Sequence, residues 1–215
     1  MPSLFLMLIL FVIPLFSDQN QTLTIIQKPI VFKQKRINLT KQYMKQHYGI
    51  EQNDITITPK MVVIHWTGTN SFKASYGAMY HQKIGHNRTM INKASQLNIS
   101  AHFLVDRDGT IYQLMPDNWM ARHVIGLNYW AIGIENVGGS HKKQNLTQAQ
   151  LRSNIALIHY LQKKYPTIKY IIGHYQYKNF EKSPLWLEKN PHYRTDKYDP
   201  GAEFMKKINT ALHSN

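Results

Sequence analysis

Five residues of this chain have the side-chain types for hydrolytic metal chemistry, three where apolar runs give way to loops and two in an irregular stretch near the end. His65 nearly closes MVVIHW (residues 61–66), His174 follows the apolar start of KYIIGHYQY (169–177), and Asp199 precedes a Pro-Gly turn in RTDKYDPG. Two imidazoles and one carboxylate make a catalytic zinc set, with three protein ligands and a fourth position left open. The chain holds eleven histidines, so two of them at strand ends also fit chance, and spacing alone leaves both readings open. Glu135 ends the run AIGIE and is one of twelve acidic residues. A glutamate at the edge of a core is either bonded to local backbone or a general base beside activated water. Lys197 stands two positions before Asp199. In an extended segment such residues share one side, so they form a surface ion pair or address a common third group.

The elements needed to position these residues are legible from Thr58 onward. MVVIHW is a short, β-branched run of the buried-strand type. Residues 71 to 86 read as loosely helical, and HFLVDRDGTIYQLM as a hairpin turned at Asp108-Gly109. WAIGIENVGG is a strand ending in glycines. Thr147 and Gln150 form a capping box for a helix with an apolar stripe of Leu151, Ile155, Ile158 and Leu161. Lys163 and Lys164 suit its C-terminus and Pro166 stops it. KYIIGHYQY predicts a further strand, and residues 202–212 a closing helix. The expected fold is α/β: one domain (58–215) with a central mixed β-sheet flanked by helices. Sites in open sheets form where strand ends meet loops, which offers His65, His174 and Asp199 a route to converge.

Composition narrows the partners. With 215 residues, 43% of them hydrophobic, the chain can bury one core. A net charge of +14 suits an anionic partner: nucleic acid, lipid head groups or wall polymer. With no cysteine, disulfides, thiolate ligands and a cysteine nucleophile are excluded. Residues 4–16 are almost wholly apolar, and as a helix they would span about 20 Å, short of the roughly 30 Å of a bilayer core. Residues 1–17 therefore read as a signal peptide, with an uncleaved N-terminal anchor as the rival. Residues 18–57 form a basic extension in which Lys28, Lys33, Lys35, Arg36, Lys41 and Lys45 follow one another without an acid. The favoured reading is a solvated face and a short helix stopped at Gly49. The other is docking on an anionic envelope surface.

The blocks VVIHWTGT, SAHFLVDRDGTIYQLM, RHVIGLNYWAIGIENVGG, IIGHYQY and KYDPGAEF, taken together, resemble the zinc-dependent N-acetylmuramoyl-L-alanine amidases of the type-2 group, which also contains peptidoglycan recognition proteins. The resemblance spans residues 61–208. It implies that His65, His174 and Asp199 hold Zn2+, that Glu135 is the catalytic base, and that Lys197 stabilises the oxyanion. The implied reaction is hydrolysis of the amide joining N-acetylmuramic acid to L-alanine in peptidoglycan or muropeptides. His102, His123 and Asn136 are candidate substrate contacts, the two histidines alternatively orienting ligands from behind or simply packing. The stretch between His174 and Asp199 is longer than in compact members and predicts an extra groove wall. Its Lys178, Lys182, Lys189 and Arg194 are expected to meet stem-peptide carboxylates. A recognition module that binds peptidoglycan without cutting it is the rival function. Such relatives characteristically lose a zinc ligand, and all three ligand positions are filled here. Nucleic acid is not the expected partner of an exported chain with few aromatic-plus-basic clusters. The lack of cysteines favours a bacterial periplasm or envelope, secreted or anchored.

Overall fold

The computed structural model describes residues 23–85, 89–141 and 143–214, with the backbone alone at 89 and 90. The signal peptide or anchor expected at 1–17 lies outside the described residues.

Strand β1 (Ile25–Gln27) and helix α1 (Gln34–Tyr43) come first, followed by β2 (Met61–Trp66), α2 (Phe72–Tyr80) and α3 (Thr89–Ala94). The hairpin strands β3 (Phe103–Val105) and β4 (Ile111–Gln113) lead to β5 (Ala131–Asn136), α4 (Gln148–Lys164), β6 (Tyr170–Gly173) and α5 (Ala202–His213). The six strands form one sheet in the order β1-β4-β3-β5-β2-β6. All pairs are parallel except β3 with β4, the expected hairpin, so the sheet is mixed.

Pleating sorts the central strands onto two faces. Val62, Ile64, Ile132 and Ile134 pack under α4 and α5 against Leu157, Ile158, Leu161, Phe204, Met205 and Ile208. Met61, Val63 and Ala131 face the other way and meet Val124, Ile125, Leu127, Tyr177 and Tyr193. The capping box opens α4 as predicted, with Thr147 and Gln150 bonding reciprocally. Its buried stripe differs from the apolar one expected. Ile155 is only partly buried, while Gln150 and Asn154 are fully buried. The reason is backbone demand: Gln150 Nε2 donates to the carbonyls of Val105 and Val137, and Asn154 pairs with Asn136.

The predicted strand at 169–177 stops at Gly173, and residues 174–180 turn into a 3-10 helix. The Gln176 side chain accepts from Gly173 N and helps end the strand. In the extension, α1 continues through a π-type turn (Met44–Tyr48) and ends at Gly49, whose φ of 69° lies in the left-handed region. Tyr43, Met44 and Tyr48 pack with Ile55, Ile57, Leu97 and Met120. Lys33, Lys35 and Lys45 are solvated as read, but Arg36 is not. Its guanidinium is buried and donates to the carbonyls of Val31, Met79 and Ile99, and burial lowers its pKa to about 10. This arginine ties the extension to α2 and the core.

Candidate metal and active site

Register brings the first candidates together. Strand β2 lies between β5 and β6, with His65 opposite Glu135 and Ile64 opposite Gly173. In parallel strands, residues in register point to the same face, so His65 and Glu135 stand side by side. His174 follows Gly173 at the same level as the chain leaves the sheet. Glu135, His65 and His174 thus form a row across the C-terminal edge of three adjacent strands, where open α/β sheets place their sites.

Asp199 reaches that row from the irregular segment before α5. Tyr175 N donates to Asp199 O at 3.0 Å. Tyr177 OH donates to Thr195 O at 2.6 Å and accepts from Thr195 N at 2.9 Å, pinning the approach to Asp199. The peptide between Asp199 and Pro200 is cis.

The resulting cluster is tight and buried. His65 Nδ1 lies 2.9 Å from His174 Nδ1 and 3.1 Å from Asp199 Oδ2, and His174 Nδ1 lies 3.0 Å from the same oxygen. His65, His174 and Asp199 form the group of potential metal-binding side chains found among the described residues. Burial pushes His174 down to about 4, although Asp199 pulls it the other way, so its imidazole is neutral at physiological pH. Burial by itself would raise the Asp199 carboxyl, but His174 and His65 outweigh it by charge and hydrogen bonding and hold it below the usual carboxylate range. Neutral imidazole and ionised carboxylate are the protonation states a metal requires. Two nitrogens and one oxygen converging from three elements fit zinc, which takes such mixed sets and keeps a further position open in catalytic sites.

The cluster forms one wall of a cavity of about 340 Å3 that is also lined by Glu135 and Lys197. Lys197 lies close enough to His174 for its charge to oppose protonation there. All five residues singled out for chemistry therefore share one cavity. Other walls come from Ala74, Ala78 and Met79 of α2 and, from the extension, Tyr43. No pattern in the sequence marked Tyr43, because an aromatic on an amphipathic helix reads as ordinary core. The long stretch before Asp199 contributes Tyr193 and Thr195 to the lining. Lys178, Lys182, Lys189 and Arg194 of that stretch do not line it: Lys178 pairs with Asp196 at 2.6 Å and Arg194 with Glu181 at 2.9 Å.

The three candidate substrate contacts are placed differently from one another. His123 lines the cavity, with Nδ1 2.9 Å from His65 Nε2 and Nε2 3.3 Å from Ala131 O. His102 is wholly buried beneath it, where Nδ1 accepts from Gly133 N and Nε2 donates to Trp119 O. Burial lowers its pKa to about 4. With both ring nitrogens engaged by backbone, it serves the sheet and not the groove. Asn136 follows Glu135 in sequence, yet pleating sends its side chain to the opposite face. There its Nδ2 donates to His65 O and its Oδ1 accepts from Asn154.

Comparison with known proteins accords with this arrangement. The family model for N-acetylmuramoyl-L-alanine amidase (Amidase_2) matches residues 55–202. A search of the curated proteins finds no match. Among solved structures, the N-acetylmuramoyl-L-alanine amidase LysC from Clostridium intestinale URNW is 22% identical with a TM-score of 0.54, covering 88% of this chain and 97% of that one. The endolysin amidase LysCS from Clostridium intestinale URNW is 21% identical with a TM-score of 0.51, covering 88% and 95%. A selenomethionine derivative of AmpD is 21% identical with a TM-score of 0.52, covering 86% and 92%. At such identities the structural likeness is one of fold, and the family follows from the match over most of the chain. This chain belongs to the type-2 N-acetylmuramoyl-L-alanine amidase and peptidoglycan recognition protein family.

Proposed function

We propose that the protein is a zinc-dependent hydrolase of the amide between N-acetylmuramic acid and L-alanine in peptidoglycan or muropeptides. The observation that carries this reading is the convergence of His65 Nδ1, His174 Nδ1 and Asp199 Oδ2 in a cavity also lined by Glu135 and Lys197. Zinc, when held by those three side chains, supplies Lewis acidity that polarises a carbonyl and acidifies water. Glu135 takes the proton from the attacking water and returns it to the departing amine of alanine. The Lys197 ammonium stabilises the oxyanion that develops on the lactyl carbonyl, the kind of contact whose removal costs about 100- to 1000-fold in rate. Neither group depends on the sugar or peptide beyond the reacting bond, so stem-peptide choice rests with the other cavity walls.

Site of action is part of the same proposal. The apolar run at 4–16 and the absence of cysteines support export to a bacterial envelope, and the +14 charge supports attachment to anionic wall polymer.

Zinc content and cleavage of purified muropeptide, read by mass spectrometry before and after chelation, test the reading. The expected result is one equivalent of zinc and chelator-sensitive release of intact stem peptide. Bound zinc without cleavage of any muropeptide would assign the chain to the binding branch of its family.

A further inference from the structure

We propose that His123 is a positioning residue that fixes the tautomer of His65, and that the N-terminal extension holds His123 in place through Asn128 and Tyr48. The inference rests on reading His65 as a metal ligand. It begins from hydrogen bookkeeping along one line of contacts. His123 Nε2 faces the carbonyl oxygen of Ala131 at 3.3 Å, and that oxygen can only accept. The proton of a neutral His123 therefore sits on Nε2, which leaves Nδ1 as a bare acceptor. His123 Nδ1 faces His65 Nε2 at 2.9 Å, so His65 must donate there. A neutral His65 protonated at Nε2 has its lone pair at Nδ1. That is the atom facing His174 Nδ1 and Asp199 Oδ2. A carbonyl on β5 thus dictates, through His123, which nitrogen of His65 is free for a metal.

The position of the His123 ring is itself built into the chain. A Cβ at Gly133 would fall 2.8 Å from the His123 ring, a distance at which one of the two must move. Only glycine at this place on β5 lets the imidazole lie against the strand beside Glu135. The backbone that carries His123 is clamped as well: the N–H groups of His123 and Val124 both donate to Asn128 Oδ1 at 2.8 Å. Asn128 Nδ2 in turn donates to Tyr48 OH at 2.8 Å. Tyr48 ends the π-type turn of the extension and precedes residue 55, where the family match begins. The line Tyr48, Asn128, His123, His65 therefore carries the extension to the metal centre of the catalytic domain.

A packing role and a positioning role make opposite demands on residue 123. Leucine fills space but accepts no hydrogen bond, whereas asparagine places an amide oxygen near the position of imidazole Nδ1. The test uses the full chain and two readouts. In the metal-free protein, imidazole 15N shifts report tautomers directly. The wild type is expected to show His65 protonated at Nε2, and His123→Leu to lose that preference. Zinc affinity, measured by competition with a chelator, is expected to fall about 10- to 100-fold in His123→Leu and to stay within about threefold of wild type in His123→Asn. Gly133→Ala is expected to behave as His123→Leu does, since it displaces the ring without touching its chemistry. Tyr48→Phe is expected to show a smaller fall, about two- to fivefold, as the clamp loses its outermost bond. Thermal unfolding of each variant checks folding, and His123→Asn with Gly133→Ala carries the comparison if the leucine variant does not fold. A wild-type His65 protonated at Nδ1, or zinc affinities that do not separate asparagine from leucine or alanine, would overturn the proposal. If the wild type binds no zinc but its His65 tautomer depends on His123, the metal reading fails and the positioning role stands.

Discussion

The two sides of the site are held by different kinds of structure. Glu135, His65 and His174 stand in a row set by the ladder of β5, β2 and β6, in which six residues of β2 pair in register with β5. Asp199 and Lys197 come from a segment without regular structure. It is held by a few particular contacts: the paired bonds between Tyr177 and Thr195, and the bond from Tyr175 N to Asp199 O. A ladder distributes positional control over many backbone bonds, so no single side chain is responsible for it. An irregular segment concentrates that control in individual residues. The row should therefore fail only when its own members are changed, and the segment should also fail when its supports are.

The strongest way to break this contrast is to remove members of the row. His65→Ala is expected to lose both zinc and turnover, as metal analysis and muropeptide cleavage would show. Glu135→Ala is expected to keep zinc and to lose about 100- to 10,000-fold in rate, the range for a positioned proton-transfer group. A Glu135→Ala protein with normal turnover would remove the role given to that residue.

On the irregular side, Lys197→Ala is expected to bind zinc normally and to lose about 100- to 1000-fold in rate. Comparable zinc content in Lys197→Ala and Glu135→Ala would sharpen the division between holding the metal and moving charge.

Acid probes the layer beneath the row. His102 has a folded pKa of about 4 because of burial, against about 6.5 for an unfolded histidine. Between these values the unfolded chain binds more protons than the folded one. The stability contributed by neutral His102 is therefore complete above about pH 6.5 and is lost as pH falls toward 4. Burial depresses His123 and His174 in the same direction. Urea unfolding of the metal-free protein should show stability falling with acid through this window, by up to about 1.4 kcal/mol per pH unit for each such histidine. His102→Gln should flatten that slope, at the expense of lower stability at neutral pH.

The smallest expected effect separates the two kinds of support most cleanly. Tyr177→Phe keeps the ring but deletes both bonds to Thr195, a loss of about 1–2 kcal/mol by hydrogen-bond scales. Turnover is expected to fall several-fold with zinc content unchanged, since Lys197 follows Thr195 by two residues. A similar fall in the stability of Tyr177→Phe without any change in rate would show that Asp199 and Lys197 are held by the cluster itself.

Much of the ladder side was legible in the sequence, for a local reason. The MVVIHW strand, the Asp108-Gly109 turn and the Thr147–Gln150 capping box rest on a few residues each, and each appears where its pattern placed it. The opposite orientation of Asn136 was legible too, because alternation alone separates it from Glu135. Reading it as a groove residue followed its adjacency in the chain and not the pleat. Arg36 was hidden for a different reason. A guanidinium in a basic run looks solvated unless the carbonyls that receive it are known, and those of Met79 and Ile99 lie far along the chain.

Residue type was enough to name the side chains able to do chemistry, and local pattern to send the strands that carry His65 and Glu135 to an edge. Residue type and local periodicity are properties of a short stretch of chain. The register that sets Glu135 beside His65 came with the folded sheet. The fold as a whole set the meeting of Asp199 with both histidines, and the path from Tyr48 to His65. Each of these depends on contacts between residues far apart in the chain, and the free energy that selects them comes from burial and hydrogen bonding across the whole fold.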